Sequence, residues 1–472
     1  MPPSILRNIP SVNELLDSQP LKRLSHSVSR SVVVSGVRTF LDKLRDEART
    51  AASDISLPVG SELAERIANW ILATEKPPLR SVINATGILL HTGLGRAPLP
   101  REALSDIEEL AHGYCSLEVN LDSGERSQRN VAVEKLLHDL TGAEAALVVN
   151  NNAGATLLTL AALAAESEVI VSRGELVEIG GSYRLPDVMQ ASGARLREVG
   201  TTNKTHYADY ELAVGPDTAA VLKVHSSNYA IVGFTEEVPI GKLAALAHQQ
   251  RLVAIHDIGS GSLIDFSRYG LSGEPLASES LQAGADVVLF SGDKLLGGPQ
   301  CGIILGRKSL IQQIQTHPLA RAFRVGKLTL AALAATLRLY RDPDMAEQSI
   351  PLLSLLSTTL ENLKLRAERL TPQLNAAEVI ASAEPLESAT YLGGGSVPAQ
   401  QIPTWCVALK PATGNVNQLA QRLRSGSPSI FGRVQQDLLL LDLRTVFPGQ
   451  DPQIAQRIHD IRSEEKQPAA VS

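Results

Sequence analysis

DVVLFSGDKLLGGPQCGIILG (286–306) is the stretch on which the fold turns. It begins with the short apolar run DVVLF and ends with a second, GIILG, and between them one lysine, Lys294, stands among glycines. Short runs of Val, Ile and Leu bounded by Gly, Ser or Asp read as buried strands. Lys294 therefore stands just past a strand end. A lysine there either cradles an anion or, if its pKa is lowered, forms a Schiff base.

The same texture extends upstream. ALVVN (146–150), EVIVS (168–172), AAVLKV (219–224) and RLVAIHD (251–257) are further strands, and helical segments at 131–140, 154–165 and 240–250 alternate with them. This alternation predicts an α/β domain around a mostly parallel, buried sheet. Ligands of such sheets bind beyond the carboxyl ends of the strands. NNNAGAT (150–156) follows one strand and opens a helix, so its free N–H groups and the helix dipole suit a phosphate. Asp257 ends another strand, where a carboxylate either caps the next turn or meets a ligand.

Around this centre the chain divides into three. Residues 1–76 read as helical, with apolar residues at helical spacing over 9–16, 28–44 and 63–72 and a Pro/Gly-broken loop at 50–61. KPPLRS (76–81) is a boundary, and residues 77–340 hold the α/β domain. Residues 341–472, with a helix near 353–370 and strands TWCVAL (404–409) and DLLLLDL (437–443), read as a smaller α+β domain.

The chain has 472 residues, 44% hydrophobic and 20% charged, enough for a large core. Its net charge of −6 speaks against a histone-like nucleic-acid binder. Yet residues 18–45 carry Lys22, Arg23, Arg30, Arg38, Lys43 and Arg45 against a single acid, Asp42. That stretch is either a solvated helix face or a surface for phosphates. Three cysteines, Cys115, Cys301 and Cys406, give no disulfide framework and no metal-ligand pair, so no metal is expected. No signal-peptide core and no apolar run of about 18 residues is present, which points to the cytoplasm and away from a membrane.

Three strand-end features gain meaning together. A phosphate-binding turn, an aspartate and a lysine are what pyridoxal 5′-phosphate requires. Lys294 would hold the aldehyde as an imine, and Asp257 would pair with the pyridine nitrogen. Asn151, Asn152, Ala153 and Gly154 of the turn, with Ser291 beside the lysine, would complete the cofactor site. Arginines form a second theme: Arg96 in HTGLGRAPL (91–99), Arg126 and Arg129 in SGERSQRN (123–130), and Arg321 and Arg324 in LARAFRVGK (319–327). Arginine forks bind tetrahedral oxyanions, although surface arginines in separate loops explain them equally well.

At these residues the sequence resembles bacterial selenocysteine synthases, fold-type-I pyridoxal-phosphate enzymes that act on seryl-tRNA(Sec). The resemblance is carried by VINATGILLHTGLGRAPL (82–99), SLEVNLDSGERSQRN (116–130), ALVVNNNAGATLL (146–158), KVHSSNYAIVGFTEEV (223–238), HDIGSGSLID (256–265), FSGDKLLGGPQCGII (290–304) and LARAFRVGKLTLAAL (319–333). It implies a large domain with a mostly parallel seven-stranded sheet, a small C-terminal domain and a helical tRNA-binding head. It implies that L-seryl-tRNA(Sec) loses its β-hydroxyl to give aminoacrylyl-tRNA, which takes selenium from selenophosphate to become L-selenocysteinyl-tRNA(Sec). It also implies a ring-like homo-oligomer of dimers. Lys294 and Asp293 would be catalytic, and Arg96, Arg129, Arg321 and Arg324 would line the selenophosphate pocket, with Arg126 a rival for Arg129. Lys22, Arg23, Arg30 and Arg38 would meet the tRNA. His91, His225 and His256 are each open to stacking on the cofactor ring. Arg444 is open between anion binding and a structural ion pair. A related lyase on a free amino acid or sugar acid is the main rival, and it needs no tRNA-binding head. A catalytically silent RNA-binding protein is the other, and intact Lys294 and Asp257 weigh against it.

Overall fold

The computed structural model describes residues 9–50, 60–75, 79–181 and 183–465. Most of the loop expected at 50–61, and residues 76–78 of the expected boundary, lie outside them. The chain forms two units: residues 1–81 with 459–472, and residues 82–458.

The first unit contains helices Val12–Leu16, Gln19–Leu24, Arg30–Thr50 and Gly60–Thr74. They pack through Leu15, Leu21, Val33, Val37, Leu41, Ile67 and Ile71, all nearly fully buried. Gly36 lets two of the helices close up, because a Cβ there would fall 2.5 Å from Ile71. The expected helical reading of this region holds, with the first two helices separated by Ser18, whose side chain turns back to Leu15 O.

Among its described residues the second unit contains fourteen strands: β1 (Val82–Ala85), β2 (Ala145–Val149), β3 (Glu168–Ser172), β4 (Glu178–Ile179), β5 (Tyr183–Arg184), β6 (Arg195–Val199), β7 (Thr218–Val224), β8 (Val253–Gly259), β9 (Val287–Ser291), β10 (Gly302–Gly306), β11 (Ile380–Gly393), β12 (Ser396–Pro411), β13 (Ser429–Gln435) and β14 (Leu438–Asp442). Seven of them form the central sheet in the order β2-β10-β9-β8-β7-β3-β6. Pairs β9–β8, β8–β7, β7–β3 and β3–β6 are parallel. Only β10 runs against its neighbours, and its Gly302 pairs with both Val149 of β2 and Ser291 of β9. β2, β9 and β10 are buried at every residue because helices cover both faces of the sheet, whereas β7 and β8 also carry Lys223, His256 and Asp257. β6 escapes an apolar-run reading because RLREV is a charged, half-exposed edge strand.

A second sheet, β1-β13-β14-β12-β11, gathers strands from both sides of the central one. The long β11–β12 hairpin turns through Gly393, Gly394 and Gly395, all at positive φ. The single helix expected near 353–370 is two, Pro351–Ser357 and Leu360–Asn375, the second capped by Thr359. Among the described residues no helix is long and apolar enough to cross a membrane, and no cluster of His, Cys, Asp and Glu could hold a metal ion.

Candidate active site

A cavity of about 280 Å³ opens beyond the carboxyl ends of β2, β7, β8 and β9. It brings together Arg96, Asn151, Asn152, Ala153, Asp257, Ser291, Asp293 and Lys294, which the sequence scatters over two hundred positions. A larger cavity, about 610 Å³, lies among residues 354–451 and holds none of them.

Asn151 stands between β2 and the helix Asn152–Leu163 with extended backbone, and its Oδ1 accepts the Gly154 N–H at 2.7 Å. The cap leaves the N–H groups of Asn152 and Ala153 without intrahelical partners at the positive end of the helix dipole. Gly154 does not line the cavity: its N–H is spent on the cap. Behind the turn passes β10, and only a glycine fits there, since a Cβ on Gly302 would lie 2.2 Å from Asn151 O.

Asp257 is 4% exposed. Its Oδ1 accepts from Asn152 Nδ2 at 2.9 Å and Gly259 N at 3.0 Å, and its Oδ2 from Thr156 Oγ1 at 2.9 Å. Burial drives this carboxyl above the usual carboxylate range, and those three donors oppose it, helped by the charge of Lys294. All three hydrogen-bond donors are neutral, so the ionised carboxylate lacks a counter-charge in direct contact. A protonated ring nitrogen seated against it supplies one.

Lys294 is 6% exposed, and among the described residues no hydrogen bond ties its Nζ. Burial, and then the charge of Arg96, hold its amine below the ordinary lysine range, while Asp257, Asp293 and Glu274 pull the other way. A lowered pKa makes more of the neutral, nucleophilic amine available. Arg96 reaches this point from a turn in which Gly95 and Arg96 both take positive φ. Its Nη1 donates to Asp293 Oδ2 at 2.8 Å. An amine, an anion cradle and an uncompensated carboxylate thus face one space, and this donor set fits pyridoxal phosphate.

The other arginines do not line the cavity. Arg129 donates twice to Glu118 Oε1, at 2.6 and 3.1 Å, and once to Val325 O at 2.6 Å. Arg126 reaches Glu118 Oε2 at 3.2 Å, and Arg324 lies 3.5 Å from Oε1. Both registers of GERSQR therefore end on the same acid, with Arg129 the more buried. Arg129, first by hydrogen bonding, holds Glu118 below its ordinary pKa. Arg321 is exposed on the short helix Leu319–Ala322. This segment abuts the phosphate turn, since Asn150 N donates to Phe323 O at 2.9 Å. In the other unit, Lys22, Arg23, Arg30 and Arg38 are all exposed, and Lys22 lies 3.3 Å from Asp17.

Of the three histidines, only His225 lines the cavity. Its Nε2 stands 3.5 Å from Glu274 Oε1, a buried carboxylate that also accepts Val397 N–H at 2.8 Å. His256 is buried against Ser280 Oγ, and burial with the charge of Lys223 lowers its pKa to about 3. His91 precedes the turn that carries Arg96. Arg444 is buried and donates to the carbonyls of Leu355, Thr358 and Pro403 at 3.1, 2.6 and 2.7 Å, so it binds the fold together rather than a ligand. Tyr183, which lines the cavity, and Glu274, which stands behind His225, carry no sequence signal: one sits in a two-residue strand, the other in a loop, and neither position is periodic.

Comparison with known proteins agrees with this geometry. A family described as L-seryl-tRNA selenium transferase matches residues 82–447, and one described as selenocysteine synthase N terminal matches residues 6–45. The chain is 46% identical to the L-seryl-tRNA(Sec) selenium transferase of Geobacter sulfurreducens, over 98% of this chain and 100% of that protein. It is 47% identical to the enzyme of the same name from Moorella thermoacetica, over 96% of each. Among solved structures, D-glucosaminate-6-phosphate ammonia-lyase is similar in fold, with a TM-score of 0.56, 22% identity, and coverage of 82% of this chain and 97% of that one. The strand order, the cavity and these matches agree: the chain belongs to the L-seryl-tRNA selenium transferase family, pyridoxal-phosphate enzymes of fold type I.

Proposed function

We propose that this protein converts L-seryl-tRNA(Sec) to L-selenocysteinyl-tRNA(Sec), with selenophosphate as the selenium donor. The observation that carries the reading is the meeting of Lys294, Asp257 and the Asn151–Ala153 turn in one cavity, in a chain that matches selenium transferases along their whole length. Pyridoxal phosphate, when bound, supplies the electron sink that makes the serine α-proton acidic and lets the β-hydroxyl leave.

The residues of this chain then have separate tasks. The N–H groups of Asn152 and Ala153 hold the phosphate, and Asp257 holds the charge of the ring nitrogen. Lys294 anchors the aldehyde, and once freed as an amine it moves the proton at the serine α-carbon. Water leaves from the β-carbon, the donor's selenium adds there while the α-carbon regains its proton, and a water molecule cleaves the P–Se bond so that phosphate departs and the selenol remains. Arg96, kept in the cavity by Asp293, binds the anionic donor. Outside that cavity, Arg321 and Arg324 extend the binding from the segment that abuts the phosphate turn, with Arg129 and Arg324 gathered on Glu118.

We assign residues 1–76 as a tRNA-binding head, with Lys22, Arg23, Arg30 and Arg38 against phosphates. Residues 77–340 are then the cofactor domain and 341–472 the small domain. The working assembly is a ring-like homo-oligomer of dimers in the cytoplasm. Incubation with selenophosphate and either seryl-tRNA(Sec) or seryl-tRNA(Ser) tests the central reading. Selenocysteine should form on the first alone. Failure with tRNA(Sec), with cofactor bound, would refute it.

A further inference from the structure

A second cavity, of about 220 Å³, lies beyond the carboxyl ends of β3, β6 and β7. It continues the crevice that holds Lys294, because β3 adjoins β7 and β7 adjoins the Asp257 strand. Two segments wall both spaces. Glu175 faces the second cavity and Val177 the first; Ser226 faces the second and Ser227 the first. With strands about 4.8 Å apart, the second space begins two to three strand spacings, roughly 10–15 Å, from the strand that leads to Lys294, a gap that the lysine side chain and the bound substrate bridge.

The chemistry of the lining is one-sided. Among the described residues it includes the carboxylates of Glu175, Glu236 and Glu237, the polar side chains of Thr202 and Asn203, and no lysine or arginine, while behind it Glu236 Oε1 stands 3.0 Å from His206 Nδ1. Glu175 is a fixed floor: its Oε1 lies 3.1 Å from Lys223 Nζ, and its Oε2 accepts Val224 N–H at 2.9 Å. Glu237 shares the same lysine at 3.1 Å. Ile231, partly exposed, supplies an apolar patch. Such a wall disfavours phosphate and favours neutral hydroxyl and amino donors, with the Ile231 side chain as an apolar contact. That combination describes a nucleoside.

The substrate proposed above makes the position meaningful, and the inference rests on that reading. An aminoacyl-tRNA carries its serine on the terminal ribose, so that nucleoside must lie one ester linkage from the carbon that reacts at Lys294. We infer that the second cavity receives the 3′-terminal adenosine of the aminoacyl-tRNA, with its ribose and amino donors turned to Glu236 and Glu237.

The test uses the full-length holoenzyme and 3′-deoxy-3′-(L-serylamino)adenosine, in which an amide replaces the ester, with L-serinamide as the control lacking the nucleoside. Binding is read as competition against seryl-tRNA(Sec). The wild type should bind the adenosine compound at least tenfold more tightly than serinamide. Thr202→Trp, which fills the cavity, and Glu236→Gln, which removes a carboxylate, should each erase most of that preference and raise the KM for seryl-tRNA(Sec). The cofactor colour should stay unchanged in both variants. Equal binding of the two compounds by the wild type, or a preference that survives both variants, would overturn the inference. Turnover of seryl-tRNA(Sec) by the wild type is scored separately, so loss of the cavity assignment is distinguishable from loss of the proposed reaction.

Discussion

Arg96 Nη1 sits 2.8 Å from Asp293 Oδ2, and the next residue along the chain from that aspartate is Lys294. The ion pair holds a permanent cation beside the amine without tying the amine itself. Burial is the first cause of the lowered Lys294 pKa, and Arg96 is the second. Replacing Arg96 by alanine removes one depressing charge and frees Asp293, which favours the ammonium. Both effects raise the Lys294 pKa. Capture of added pyridoxal phosphate needs the neutral amine, so its rate should climb with pH at a higher pH in Arg96→Ala than in the wild type. Stopped-flow absorbance across pH checks this; an unmoved or acid-shifted limb would contradict the electrostatic account.

Lys294→Ala should leave a protein that still retains the cofactor phosphate at the Asn152–Ala153 turn but lacks the yellow colour of covalent attachment. Turnover should fall to background. The visible absorbance spectrum after cofactor saturation decides the point, and a coloured alanine variant would remove Lys294 from its role.

Removing residues 1–76 should abolish tight tRNA binding and leave the cofactor spectrum of the remainder intact. In the full chain, tRNA affinity should fall with added salt, because lysine and arginine contacts release counterions. Filter binding at two or more salt concentrations measures both effects. A truncated protein with undiminished tRNA affinity would show that the head is not the recognition module.

Arg321→Ala together with Arg324→Ala should cut selenium transfer by about 10²-fold or more, the scale of losing preorganised charge at a reacting anion. Loss of the serine hydroxyl, followed by release of pyruvate after ester hydrolysis, should persist. Parallel assays of the two steps separate a donor-binding role from a general one; equal loss of both would argue against a donor pocket.

Arg444→Leu should destabilise the fold by about 3 kcal/mol or more, since it leaves buried carbonyls of Leu355, Thr358 and Pro403 without their donor. Urea unfolding gives the value. Residual activity of the folded fraction should be near that of the wild type, because Arg444 lies outside the cavity.

The parts of the site that sequence conveys are those tied to regular structure. Lys294, Asp257 and Asn151–Ala153 each follow an apolar run, and strand ends of a parallel sheet share one edge, so their convergence was legible. Arg96 was legible as an arginine but not as the partner of Asp293, since its turn depends on two positive-φ residues. The edge strand β6 hid behind its charges, and β1 gave no sign that it would join β13, which lies more than three hundred residues later. Glu274 was invisible because its meaning comes from His225 and Val397, neither near it in the chain. Charge alone misled at first: the −6 average concealed exposed basic residues in the first helices.

The reversed strand β10 acts as a gauge. One residue, Gly302, is level with the end of β2 on one side and the end of β9 on the other. The phosphate turn and the lysine thus stand level across the sheet, two strand spacings or about 10 Å apart, held by the hydrogen-bonded ladder rather than by the shape of any loop. Register moves in whole residues, and a slip of one would turn every side chain of β10 to the opposite face. The alignment of the turn with the lysine along the strands is therefore quantised. Evolution can lengthen or redecorate the surrounding loops to suit new substrates while this dimension stays fixed.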